Sequence, residues 1–249
     1  MRRLVRRRGR LVVAGIVVAL AVVIGAGGWL IWLIWLPAWR PALQAGERYA
    51  IDVSAHQGEI DWEAVAGDDV AVAYIKASEA ADFTDRQFRA NWVGSDRAGL
   101  RRGAYHFYGL CSPGEAQARH FLAVAPPEPA ALPPAVDLEL AGNCRSRPQP
   151  DAVRQELDTF LTTVEAAWNR QVVLYLGDDF EKAYQVRGHL DRGLWQPRFL
   201  RRPGRDDWVL WQVGGFAHVD GVAGRVDLDV VRPCRLDPGP ACPPDQRGR

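Results

Sequence analysis

The chain has 249 residues, of which 48% are apolar and 24% charged, a globular composition that excludes wholesale disorder. Its formal net charge of +1 conceals a split: residues 1–40 hold seven arginines and no acid, leaving 24 basic against 30 acidic groups in the rest. That remainder has no basic stripe, which argues against nucleic acid as a partner.

Residues 1–10 are a basic segment with six arginines. Residues 11–36 follow as 26 consecutive Leu, Val, Ala, Ile, Gly and Trp side chains. As a helix this run is about 39 Å long, enough to cross a hydrocarbon core of about 30 Å. Arginines at the near end and Trp29, Trp32, Trp35 and Trp39 at the far end match the flanks of a single-pass helix. The positive-inside rule predicts a cytoplasmic N-terminus in the cytoplasmic membrane, with the remainder on the periplasmic or extracellular side. A cleaved signal peptide is the alternative, but its apolar stretch is usually about 7–15 residues and ends at a small-residue site.

Residues 37–48 read as a linker. Beyond it, β-rich runs are predicted at 49–54, 70–77, 103–108, 135–140, 172–176, 194–199, 209–213 and 225–230. Helical spacing is predicted at 85–97, 113–125, 151–168 and 178–185, with Asp151 as an N-cap. The later connections are rich in Gly, Pro and Arg. This alternation predicts an α/β fold: a TIM-like parallel (β/α) barrel over 49–232 with reduced helices in its last third. Residues 233–249 form a Pro- and Cys-rich tail. The four cysteines, Cys111, Cys144, Cys234 and Cys242, permit three connectivities, and none has zinc-type C-x-x-C spacing. Disulfides fit an exported domain; buried free thiols are the alternative.

Barrel enzymes carry their chemistry at the C-terminal ends of the strands, and the acids fall there. Asp52 lies in the first predicted strand, Asp137 and Glu139 in the fourth, Asp227 and Asp229 in the last. Strand residues two apart share a face, so Asp137 and Glu139 point the same way, and inward is the less costly way. Mutual repulsion raises one pKa, which suits a general acid beside an ionised partner, as in glycoside hydrolysis. A Mg²⁺ or Mn²⁺ site is the competing reading of such a cluster, but the additional ligands are not evident, and no cofactor is expected.

At these residues the chain resembles the family 25 glycoside hydrolases, the Chalaropsis-type lysozymes. The likeness runs from about residue 49 to 231. It includes IDVSAHQGEIDW at 51–62, YIKASE at 74–79, Asp85 with Phe88 and Asn91, GAYHF at 103–107, and Asp137-Leu138-Glu139. Leu194-Trp195, Trp211-Gln212 and Val226-Asp227-Leu228 continue it in the same order. Ala50 and Ala80 stand where the family usually has Gly, and Asp229 where it usually has Asn.

The resemblance implies an N-acetylmuramidase that cuts the β-1,4 bond between N-acetylmuramic acid and N-acetylglucosamine in peptidoglycan, its expected partner. By position Glu139 is implied as general acid and Asp137 as the group that stabilises charge at the anomeric carbon or orients the N-acetyl group. Asp52 and Asp227 are implied to tune this pair. Lys76 and Glu79 are candidate sugar contacts or a rim ion pair. Tyr105, Tyr175 and Trp211 are candidate stacking surfaces or core. His56 and His106 are read as structural rather than as partners of the acids. Cys111 and Cys144 follow adjacent strands at one end, so they are expected to pair, leaving Cys234 with Cys242. A non-catalytic glycan-binding or scaffold protein, or a glycosidase for another glycan such as chitin, remains as the alternative on the same fold.

Overall fold

The computed structural model describes residues 2–239 and Cys242, with only the backbone of residues 2–12. Met1 and most of the tail beyond Gly239 lie outside the described residues. By internal contacts the chain divides into two units, 1–40 and 41–249.

The first unit is helical: α1 (Arg2–Leu30), a π-helical stretch (Ile31–Trp35) and α2 (Leu36–Ala38). Within it Val13–Ala38 is long and apolar enough, by length and composition, to cross a membrane. The rings of Trp29 and Trp32 stack at 5.8 Å, and those of Trp35 and Trp39 lie 6.4 Å apart.

The second unit is built on a closed barrel of eight strands: β1 (Arg48–Val53), β2 (Val70–Glu79), β4 (Arg101–Phe107), β5 (Ala135–Leu138), β6 (Val173–Leu176), β7 (Leu194–Pro197), β8 (Trp208–Ala217) and β9 (Val226–Val231). A two-residue strand, β3 (Phe83–Thr84), hangs on the end of β2 as a hairpin. Each strand predicted from sequence is present, with ends moved by up to four residues. The ladder β1-β2-β4-β5-β6-β7-β8 is parallel except for the β1–β8 gap, which β9 fills antiparallel to both neighbours. The expectation of a wholly parallel barrel is therefore corrected at its last strand. Only residues 218–225 separate β8 from β9, too few for the dozen or so that a parallel crossover needs, so the chain turns back on itself.

Helices α3 (Trp62–Gly67), α4 (Phe88–Arg97), α5 (Gly114–Val124), α6 (Pro150–Trp168) and α7 (Asp178–Tyr184) follow the early strands, and a short α8 (Pro233–Leu236) follows β9. The short α3 escaped the sequence reading; Asp61 caps it by accepting the Ala64 N–H at 3.2 Å. Asp151 is not the cap of α6. That position is Gln149, because Pro150 fits the first helical site, where its missing N–H costs nothing, and Asp151 lies in the first turn.

Strand alternation sorts the core into two layers. Ala50, Tyr74, Tyr105, Ala135 and Trp195 fill the barrel, while Ile51, Ile75, Ala104, Val136 and Leu138 face the helices, where Phe121, Leu157, Phe160 and Phe180 are buried. Gly103 on β4 leaves room for the Tyr74 ring, since a Cβ there would lie 2.4 Å from it. That close approach seats Tyr74 in the barrel, its hydroxyl donating to the Pro133 carbonyl at 3.0 Å.

Candidate active site

The inward phase that places Ala50, Ala135 and Tyr105 inside the barrel carries on to Asp52, Asp137 and Glu139 at the strands' C-terminal ends. Asp227 sits opposite Asp52 across the antiparallel β1–β9 pair. β5 ends at Leu138, so Glu139 stands just beyond the ladder, at the rim. All four acids line one open cleft of about 610 Å³, with Lys76, Glu79, Tyr105 and Tyr175 also on its walls.

Burial sets the protonation of this cluster. It pushes Asp52 and Asp137 well above the ordinary carboxylate range, reinforced by the charge of Asp227 on Asp52 and of Glu139 on Asp137. Burial first, then the charges of Asp179 and Asp227, raises Glu139 to about 6. Burial raises Asp227 to about 6 as well. Half-buried carboxylates that share one cleft and feel one another's charge cannot all ionise at neutral pH. Asp137 also keeps an enclosed Oδ1 with no hydrogen-bond partner. The Gln212 amide donates to Asp52 Oδ2 at 3.0 Å and accepts the Tyr175 hydroxyl at 3.0 Å, tying β8 to β1 and β6.

Lys76 and Glu79 form an ion pair at 2.7 Å on the wall of the cleft, so they are a rim pair that also faces the cavity. Lys76 lies 4.9 Å from the centre of the Phe107 ring. Trp211 is not in the cleft. Its neighbour Gln212 takes the inward position, and alternation turns Trp211 away, where its indole N–H donates to the Arg198 carbonyl at 2.8 Å and Arg202 covers its face. His56 lines the cleft but bonds Ser54 Oγ at 2.9 Å. His106 faces the helices, bonded to Ser78 and Gln117, and burial lowers its pKa to about 3. Among the described residues no group of three or more His, Cys, Asp or Glu is placed to hold a metal ion.

Residues 51–222 match the sequence profile of the glycosyl hydrolases family 25. The chain belongs to this family. A protein of Escherichia coli, YegX, is 32% identical over 73% of this chain and 68% of its own. Among solved structures, a family 25 glycosyl hydrolase from Bacillus anthracis is 28% identical, with a TM-score of 0.68 over 77% of this chain and 91% of its own. A lysozyme from Streptomyces coelicolor is 27% identical, again with a TM-score of 0.68, over 78% and 96%. This chain is accordingly a glycoside hydrolase.

Three features of this family 25 hydrolase's cleft were not assigned from sequence. Gln212 belongs to the Trp211-Gln212 motif, and its inward register beside Asp52 follows from sheet pairing. Trp195 forms the floor, its ring 5.1 Å from Tyr74 and 5.3 Å from Tyr175, and its N–H donates to Asp229 at 2.7 Å. Asp229 thereby sits buried beneath Asp52 and Asp227, its pKa raised by burial and then by their charges. The third is the loop after Glu139. Asn143 donates to the Glu139 carbonyl at 3.1 Å and accepts the Leu110 N–H at 2.9 Å. Cys144 in the same loop is bonded to Cys111, and Cys234 is bonded to Cys242.

Proposed function

We propose that this family 25 hydrolase is an N-acetylmuramidase of peptidoglycan, with Glu139 as general acid and Asp137 as its partner. The observation that carries the reading is the pairing of a rim carboxyl poised near pH 6 with a deeper carboxyl holding an unpartnered oxygen. The Streptomyces coelicolor relative, a lysozyme, supports the same substrate. Glu139 gives its proton to the glycosidic oxygen as the bond to the anomeric carbon breaks, and the bonding electrons leave with that oxygen. Positive charge grows at the anomeric carbon. The carboxyl of Asp137, which lines the cleft, is a receptor for the N-acetyl N–H of the sugar on that side, which holds the amide against the developing charge. Asp52 and Asp227 share protons with this pair and keep its net charge low. Water adds at the anomeric carbon, and its proton returns to a carboxylate.

The apolar segment Val13–Ala38 is read as an uncleaved anchor, with the arginines on the cytoplasmic side and the barrel working on nearby wall. The tethered arrangement suits local remodelling. The test is product analysis with the full chain in detergent micelles: products must carry muramic acid at the new reducing end. Glucosamine ends, or hydrolysis of chitin alone, overturn the substrate. Release of the chain from membranes with a new N-terminus beyond residue 28 overturns the anchor.

A further inference from the structure

The order of strands around the barrel fixes two diameters. Counting through the closed ring, β5 and β9 are four strands apart in either direction, and so are β2 and β7. The first diameter carries the acids: Asp137 and Glu139 on or just beyond β5, Asp227 on β9. The second diameter, at right angles to it, ends in two phenyl rings. Phe83 sits in the hairpin strand paired to Glu79 at the end of β2, and Phe199 sits two residues beyond β7. Among the described residues from 41 onward these are the large apolar side chains most open to solvent, 49% and 65% exposed.

A single exposed apolar side chain needs no explanation. Two at opposite ends of one diameter of the mouth do, because neither rides on a slack loop. The Phe83 carbonyl is bonded to the His120 ring at 3.0 Å, and Lys76, which lines the cleft, lies 5.7 Å from the Phe83 ring. Phe199 is flanked by the Arg198 N–H donating to the Gln212 carbonyl at 3.0 Å and the Leu200 N–H donating to the Val213 carbonyl at 2.9 Å. Its ring meets Phe216 edge-on at 5.5 Å. The same Gln212 holds Asp52, so this platform is fastened to the cleft itself.

Asp137 and Glu139 line the cleft from its β5 side and Asp227 from its β9 side, so a polymer that brings a bond to Glu139 lies between these two sides, along the other diameter. We propose that Phe83 and Phe199 are stacking platforms for the sugar strand on either side of the scissile bond, marking a groove that runs from β2 to β7 across the mouth. Each ring offers an apolar face to the C–H face of a pyranose, and ordering a two-torsion side chain on a fixed backbone costs little entropy. Platforms beyond the central cleft grip only a strand long enough to reach them. The inference rests on the glycan reading above, and the test separates the two.

The measurement is binding to the full-length chain carrying Glu139→Gln, in detergent micelles, so that turnover does not enter. The probes are uncrosslinked peptidoglycan strands of about four and about twelve sugars. Phe83→Ala and Phe199→Ala are each expected to weaken the long strand about tenfold and the short one by less than about twofold, with Phe→Tyr restoring the loss. In the Glu139 background the same substitutions raise KM for the polymer and leave kcat unchanged. Equal weakening of both probes, or no weakening of the long one, overturns the platforms. If the wild type releases no reducing ends while the length-dependent loss is present, the muramidase reading falls and the platforms stand. If it hydrolyses peptidoglycan without that loss, the platforms alone fall.

Discussion

Glu47, just before β1 at the N-terminal end of the barrel, is buried, and Asp137, at its mouth, is half-buried on the wall of the cleft, and their surroundings are opposite. Glu47 is 2% exposed and fully engaged: one oxygen accepts from Arg202 at 2.6 Å and faces Arg232 at 3.4 Å, and the other accepts the Gln44 N–H at 2.9 Å. Arg232 in turn lies 3.7 Å from the centre of the Trp208 ring. Asp137 has other acids for neighbours and an oxygen with no donor at all. A buried charge that is paired belongs to the fold, whereas one left unpaired is a cost the fold tolerates for a ligand. The two ends of one barrel should therefore respond in opposite senses to the loss of a carboxylate.

The largest expected effect is at the mouth. Glu139→Gln removes the proton donor and keeps the shape, so kcat on peptidoglycan should fall by about 10³-fold with no loss of thermal stability. Reducing-end release and a melting curve on the same sample check both halves. A fall in stability that matches the fall in rate would place Glu139 with the structural acids instead. At the N-terminal end, Glu47→Ala leaves Arg202 without its carboxylate and Arg232 with Asp206 alone. It should cost about 3 kcal/mol in urea unfolding and leave kcat of the folded enzyme unchanged.

This contrast was half legible in the sequence. Asp137 and Glu139 announce themselves because a two-residue spacing in a strand forces a shared face, and the barrel rule says which end matters. Glu47 gave no signal, since its partners Arg202 and Arg232 are 155 and 185 residues away. The eight strands were legible from β-rich runs, but the direction of β9 depended on the length of a turn rather than on the strand's own residues. Trp211 misled for a related reason. Its residue type suits a sugar-binding wall, and only the register that turns Gln212 inward shows that it faces away. Local pattern reports what an element is; partners across the sheet decide what it faces.

Titration sharpens the comparison at smaller scale. The ordinary values are 4.5 for Glu139 and 3.8 for Asp227, and the folded protein raises both to about 6. The folded state thus binds more protons than the unfolded one between these limits. Their contribution to stability is fully present below the ordinary values and is lost as pH rises through about 6. The melting temperature should climb as pH falls from 7 to 5, by an amount equivalent to about 1 kcal/mol after allowance for screening at the rim. Asp227→Asn should flatten that climb, while Glu47→Ala should leave its slope in place. Over the same range kcat should decline above pH 6, as Glu139 loses the proton it donates. A stability profile without slope between pH 5 and 7 would mean that the mouth acids are relieved by contacts other than those seen.

The smallest effect concerns backbone strain at the mouth. Ala80, just past Glu79 and leading to Phe83, holds φ at +48°, a region that costs an L-residue about 1–2 kcal/mol. Its N–H donates to the Phe107 carbonyl at 3.1 Å, so the turn keeps that conformation. Ala80→Gly removes the clash of the Cβ but gives the unfolded chain more freedom, worth about 0.4–1 kcal/mol against folding. The difference leaves a net gain of a few tenths of a kcal/mol, readable as a slightly higher urea midpoint. Because the hairpin that carries Phe83 begins here, the same change loosens the platform, and KM for long strands should rise while that for short ones stays. A glycine that stabilises the fold and weakens the grip on long strands would show that Ala80 is kept for the groove rather than for the barrel.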